Sequence, residues 1–327
     1  DGSLMKHVLI ISPRFPPINA ADMHRVRHSL PYFREQGWEP TVLGVAPRYV
    51  DGTRDDLLKR TYPSDIDICR IKAIPQQWSR ALKIGDLALR AAPFYVQRGG
   101  RVIKEKDIDL VYFSTTAFPI LALGRYWKAR HGTPYVIDMQ DPWYSGTYDV
   151  DEAPALLSKA GLSRQLDRLL EPIAMNGVDA LISVSQGYCD VLRKQYDRVT
   201  SSMCRVIPFG AAQWDFDVLA AAIVENPGGD MDRAAHCVFG ALAVGRQEHP
   251  ELYRNVRLHF VGTRYSPQAA KTMEPIAAEH GVEDLVEEQV ARVPYFQALR
   301  LLRDADQLLL LGSTDPNYTA SKLYPYI

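Results

Sequence analysis

Over most of the chain, short apolar runs alternate with stretches whose apolar positions recur at helical spacing. HVLIIS (His7 to Ser12) is too short and too continuously apolar for a helix, and it predicts a buried strand. PTVLGV (Pro40 to Val45), DICRI (Asp67 to Ile71), DLVYFS (Asp109 to Ser114), YVIDM (Tyr135 to Met139), ALISVS (Ala180 to Ser185) and CRVIPF (Cys204 to Phe209) repeat the signal. Helical patterns fall between several of them, around His24 to Gln36 and over Ile120 to Gly132. Strand–helix alternation of this kind predicts a parallel sheet with helices on both faces. Residues 211–235 hold no strong strand, and a second alternating unit follows. It reads as a helix over Met231 to His249, a strand from Val256 to Gly262 and a helix from Pro267 to His280. A strand from Val286 to Val290, a helix from Tyr295 to Asp304 and a strand from Gln307 to Gly312 complete it. The expected fold class is therefore α/β, with two domains spanning residues 5–209 and 210–327 and joined near 205–215.

Bulk composition agrees with that reading. A chain of 327 residues, 46% hydrophobic and 24% charged, has enough apolar material for two separate cores. A net charge of −1 gives no global field to recruit nucleic acid. Cys69, Cys189, Cys204 and Cys237 form no CxxC and no metal-ligand spacing, which fits buried thiols in a reducing compartment. No apolar run reaches the ~18 residues of a membrane span, no secretory leader is legible, and DGSL before Met5 reads as an extraneous leader. The expected location is cytoplasmic.

Candidate chemistry gathers after strand ends, where open parallel sheets bind ligands. VIDMQDPW (Val136 to Trp143) carries Asp138 and Asp141 out of a predicted buried strand; they are either turn formers or acceptors for ligand hydroxyls. SPRFPPINAADMHR (Ser12 to Arg25) follows the first strand without the GxGxxG of a dinucleotide site, which argues against a nicotinamide or flavin enzyme. Its prolines make a stiff loop, and the following helix start with Arg25 could meet an anion. Ser114, Thr115 and Thr116, and later Ser183, Ser185 and Gln186, are either helix caps or sugar-binding hydroxyls and amides. In the second unit Gly262 and Arg264 end a strand, and VARVPY brings Arg292 and Val293. STDPNYTASKLYPY adds Tyr318, Thr319, Ser321 and Lys322 as a polar rim that could hold a diphosphate. Residues 77–106 mix seven lysines and arginines with apolar residues; this is either a solvated helical face or a surface resting on anionic lipid.

Taken in order, FPP with its following arginine, VIDMQDPW, DALISVSQGY, VIPFGA, LHFVG and YTASKLYPY resemble the retaining GT-B glycosyltransferases of family 4 type. The likeness spans nearly the whole chain. It implies two Rossmann-like domains facing each other across a cleft, with acceptor bound on the first and a nucleotide-diphosphate sugar on the second. It implies no metal and no cofactor beyond that donor substrate. Asp138, Asp141, Ser114 and Thr115 fall on the catalytic, acceptor-side positions. Pro17, Asn19, Ala20, Arg25, Gly262, Arg264, Arg292, Val293, Tyr318, Thr319, Ser321 and Lys322 fall on the donor side. The resemblance also has gaps. Ser114 or Thr115 stands where a histidine is usual, and the second domain's first strand and its arginine are missing, as if residues were absent between Pro227 and Gly228. The chain ends at Ile327, before the family's closing helices, so the second domain reads as incomplete. The expected activity is retaining sugar transfer to a hydroxyl acceptor (a glycan, a lipid-linked or a small molecule) in polysaccharide or surface-glycan assembly. No nucleic acid partner is expected, and peripheral membrane contact through 77–106 is an open alternative. A sugar-nucleotide epimerase on the same plan and a non-catalytic binding relative are the competing functions.

Overall fold

A computed structural model of the chain describes residues 5–81, 85–143, 159–210, 212, 214–215, 232–264, 266 and 268–309. Two compact units result, Asp1–Gly210 and Ala211–Ile327.

In the first unit the elements run β1 (Lys6–Ile11), α1 (His24–Phe33), β2 (Trp38–Val45), β3 (Asp67–Ile71), α2 (Gln76–Ala81), α3 (Leu87–Glu105), β4 (Leu110–Ser114), α4 (Ala122–His131), β5 (Tyr135–Met139), α5 (Lys159–Met175), β6 (Ala180–Ser183), α6 (Gln186–Gln195) and β7 (Cys204–Val206). The seven strands form one sheet in the order β3-β2-β1-β4-β5-β6-β7. Every pairing is parallel. Strand order reverses between β1 and β4, the two strands where the chain switches faces of the sheet.

The strands read as apolar runs because both faces are covered. On β1, Leu9 and Ile11 join a core under α3, α4 and α5, while Val8 and Ile10 join a smaller one with Val26 and Leu30 of α1. Alternate residues point to opposite faces, so two cores demand an unbroken apolar run. On α3 the apolar side, including Leu87, Ala91, Tyr95 and Val102, is buried in this core. That packing accounts for the amphipathic pattern of 87–105, and Trp78 of α2 remains 69% exposed. Gly99 is required where α3 meets α4, since a β-carbon there would lie 2.3 Å from Cζ2 of Trp127.

Element boundaries differ from the sequence expectation for local reasons. β2 starts at Trp38, two residues early, with Trp38 opposite Lys6. Its Pro40 precedes the pairing with β3, which begins at Thr41, so only one ladder runs there. β6 stops at Ser183 because Ser183 Oγ bonds the backbone of Ser185, and Ser185 then caps α6. β7 ends at Val206; Ile207 still donates to Ser183 O before Pro208 interrupts the ladder.

The second unit contains α7 (Asp232–Glu248), α8 (Pro250–Tyr253), β8 (Leu258–Val261), α9 (Met273–Glu279), β9 (Val286–Gln289) and α10 (Tyr295–Asp304). β8 and β9 pair in parallel, and Phe239, Ile276, Val282 and Leu285 form a core beside them. The helix expected over Pro267 to His280 is confined to Met273–Glu279, because the carboxylate of Glu288 gathers the backbone N–H groups at 272–274 and fixes the start. Residues 307–309 are not strand, contrary to the reading of Gln307 to Gly312, whose remainder lies outside the described residues.

Candidate functional site

In the first unit the tips of β1, β4 and β5 converge on a buried polar network. Its hub is Asp138, the last but one residue of β5, 1% exposed. Oδ2 of Asp138 accepts from Arg25 Nε at 2.7 Å, Ser114 Oγ at 2.8 Å and the Tyr112 hydroxyl at 3.1 Å. Oδ1 is also buried and accepts no hydrogen bond. Burial raises the carboxyl above its ordinary pKa, and the Arg25 charge and the hydroxyl donors oppose that rise. Burial and the Asp138 charge push the Tyr112 phenol well above its usual range, so it acts as a neutral donor.

Arg25 is pinned on both sides. It donates to the carbonyls of Pro208 and Ile207, and its guanidinium lies 5.3 Å from the ring of Phe209. The turn after β7, within the stretch where the two domains were expected to join, is therefore tied to β5 through one arginine fork.

Asp22, 3% exposed, is a second organising carboxylate. Its Oδ2 accepts from Thr115 Oγ1 at 2.7 Å, Arg14 Nη1 at 3.0 Å and the Thr116 amide at 3.2 Å, which sews the loop after β1 to the end of β4. Gln140 joins the two hubs, donating to Asp22 O at 3.0 Å and to Ser114 Oγ at 2.9 Å. Arg70 of β3 holds the same loop by donating to the carbonyls of Phe15 and Pro16. Within that loop Pro16–Pro17 is cis, Pro17 is buried, and Asn19 and Ala20 are half-buried; Asn19 donates its amide to Thr53 O.

The structure thus brings Ser114, Asp138 and Arg25 into one network with Thr115 in the adjoining one, all inside the protein and bonded to protein groups except for Asp138 Oδ1. Asp141 differs. It lies two residues past β5 and is exposed, yet crowding by protein and the charge of Asp22 raise its carboxyl above the ordinary range. Among these four carboxyl and hydroxyl groups it alone is open to an incoming ligand. Sequence reasoning passed over Asp22, Gln140, Tyr112, Arg14 and Arg70. Gln140 sits inside the quoted VIDMQDPW, and Asp22 precedes α1 in a position typical of helix-start acids, but nothing in spacing shows that they bond each other.

In the second unit Gly262, with φ +61°, follows β8, and its amide bonds Gln289 O. Arg264 is half-buried nearby, while Arg292 is exposed and Val293 buried just past β9. Glu288, 3% exposed, accepts from Thr263 and Thr272 Oγ1 on Oε1 and from the amides of Thr272, Met273 and Glu274 on Oε2. The start of α9 therefore already holds an anion. Tyr318, Thr319, Ser321 and Lys322 lie outside the described residues. Among the described residues no group of three histidine, cysteine or acidic side chains is placed to hold a metal ion. Nor is any described helix long and apolar enough to cross a membrane.

Comparison with known proteins adds the family. Among solved structures, the N-terminal domain of the Candida albicans trehalose-6-phosphate phosphatase superposes with a TM-score of 0.61 at 14% identity, over 99% of this chain and 81% of that one. The Anabaena protein HepE, solved with UDP and glucose, gives 0.49 at 17% identity over 91% and 72%. A UDP-N-acetylglucosamine 2-epimerase gives 0.44 at 12% over 89% and 70%. At 14% identity the first of these likenesses is one of fold alone, in keeping with the α/β architecture. No curated protein matches the sequence. A family model described as a glycosyl transferase 4-like domain matches residues 24–210, more than half of the chain; the range takes in the Asp138 hub with Arg25, Tyr112 and Ser114 and begins just after Asp22. The chain belongs to the glycosyl transferase 4-like domain family.

Proposed function

We propose that this chain transfers a sugar from a nucleotide-diphosphate donor to a hydroxyl acceptor, with retention at the anomeric carbon and without a metal ion. The family match over residues 24–210 carries the reading. The residues fit the task as follows. The Asp22 and Asp138 networks hold the β1, β4 and β5 tips rigid, as a binding surface requires. Asp141 presents a carboxylate that accepts hydrogen bonds from acceptor hydroxyls. Its raised pKa also leaves it able to take a proton as the nucleophile attacks. Arg264 and Arg292, with Ser321 and Lys322, supply positive charge and donors to the leaving diphosphate, the electrostatic task that dominates such transfers. Arg25 acts through Asp138 as a positioning residue. The family's use in polysaccharide or surface-glycan assembly, and a cytoplasmic setting, belong to the same proposal.

Calorimetric titration of the full chain with UDP, GDP, ADP and their glucose derivatives tests the donor. Saturable binding of one nucleotide, weakened in Lys322→Ala, is the expected result. If no nucleotide binds, the transfer reading falls.

A further inference from the structure

Beside the polar network, the loop after β2, the segment after β3 and the first turns of α3 enclose a recess of about 450 Å³. Among the described residues Arg48, Tyr49, Asp51, Gln76, Gln77 and Arg90 line it. Arg90 is the unusual member. It is 2% exposed, and it donates to Ile74 O at 3.0 Å and to Tyr49 O at 3.1 Å. Its Nε is buried without an acceptor. No carboxylate among the described residues pairs with it. A buried guanidinium held only by two carbonyls keeps an unneutralised charge, and desolvated charges are normally paired. Asp51 lines the same recess but forms no ion pair with Arg90; its carboxylate accepts from the Gln76 side-chain amide at 2.8 Å. Arg48, exposed and 4.9 Å from the Tyr49 ring, adds a second cation at the rim. Two cations against one carboxylate leave the recess net positive. Its amides, carboxylate and tyrosine are the groups that hold sugar hydroxyls and a ring face.

We infer that this recess binds an anionic saccharide, a sugar carrying a carboxylate or a phosphate, with the oxyanion on the Arg90 and Arg48 side and hydroxyls on Asp51, Gln76 and Gln77. Position supports the assignment. The loop that carries Asp51 runs on to Thr53 and Asp55, whose backbones bond Asn19 and Pro17 of the loop after β1. A sugar in the recess therefore sits one loop away from the β1 tip. Calling this ligand the acceptor rests on the transfer reading; the binding itself does not.

The test follows the arginine Nε–H resonances of the ¹⁵N-labelled full chain during titration with methyl glucuronide, glucose 6-phosphate, methyl glucoside and inorganic phosphate. The expected result is saturable movement of the Arg90 and Arg48 signals by at least one acidic sugar. That sugar binds about tenfold or more tighter than both the neutral glucoside and free phosphate. The tighter of the two acidic sugars identifies the anion. Because Arg90→Gln risks misfolding, the paired variant is the exposed Arg48→Gln, which should weaken binding about tenfold with an unchanged melting curve. The inference is overturned if neither acidic sugar moves the signals, if glucoside or phosphate binds as tightly, or if Arg48→Gln binds like wild type. UDP titrated in parallel reads the donor separately, so its failure leaves the saccharide result standing and the reverse also holds.

Discussion

Replacing Arg25 by methionine isolates what the buried ion pair does. The Arg25 and Asp138 side chains are 9% and 0% exposed, and the substitution keeps the stem's apolar contacts while deleting the charge and three hydrogen bonds. Asp138 is then a buried carboxylate supported only by the hydroxyls of Ser114 and Tyr112. Breaking one side of such a pair costs roughly 3–5 kcal/mol. A ceiling applies, because the carboxyl can protonate instead, at about 4 kcal/mol at neutral pH for a group of ordinary pKa near 3.9. Burial has already raised Asp138 in the wild type, so part of that cost is present before the substitution. The expected loss is therefore about 2–4 kcal/mol at neutral pH.

The sign with pH is fixed by linkage. Asp138 has a folded pKa above its unfolded value, so its stability contribution is present at low pH and lost as pH rises through the folded pKa. Removing Arg25 raises the folded pKa further and enlarges that loss. The deficit of Arg25→Met should therefore be largest at neutral pH and shrink in acid. Urea unfolding followed by tryptophan fluorescence reads it, since the fully buried Trp127 reports on the first unit. Adding Asp138→Asn should recover much of the neutral-pH loss, because the uncompensated negative charge is gone while the amide oxygen still accepts. A deficit under about 1 kcal/mol, or one equal at neutral pH and about pH 4, would refute the ion-pair reasoning.

Three further outcomes follow from the same geometry. Asp141→Asn should raise stability at neutral pH and leave it unchanged in acid, because it deletes a carboxyl whose folded pKa is raised. It should also slow sugar transfer by about tenfold or more; melting curves at two pH values and a rate assay check the pair. Gly44→Ala should cost about 1–3 kcal/mol in urea unfolding, since its β-carbon would meet Ser12 O at 2.9 Å and Arg70 Nη1 at 3.0 Å and displace the loop after β1. Glu288→Gln removes the charge that gathers three backbone amides. It should speed hydrogen exchange over 272–279 by an amount equivalent to about 1.5–3 kcal/mol, with the first unit unaffected.

The sheet was legible in the sequence because burial on both faces leaves little freedom: a strand such as Lys6–Ile11 must be apolar at every position that feeds a core. Strand ends were less legible, since β6 and β7 stop for side-chain and proline effects that periodicity does not record. VIDMQDPW ends a strand whose tip carries a buried polar network, but its two carboxylates separate in kind. Asp138 is closed in by Arg25, more than one hundred residues away in sequence, and Asp141 is open. Nothing in local composition predicts that partnership, or the bond of Thr115 to Asp22. The recess at Arg90 was hidden for a related reason. Its arginine lies in the stretch read as a surface, and only the tertiary fold shows that the guanidinium is inside.

The most direct measurement is the NMR spectrum of the product formed from an α-linked nucleotide-diphosphate sugar and a hydroxyl acceptor by the full chain. Sugar transfer with retention predicts acceptor-dependent release of nucleotide diphosphate and a new glycoside with the small anomeric coupling of an axial bond. A donor that is bound and left intact, or converted to an epimer without acceptor, contradicts it.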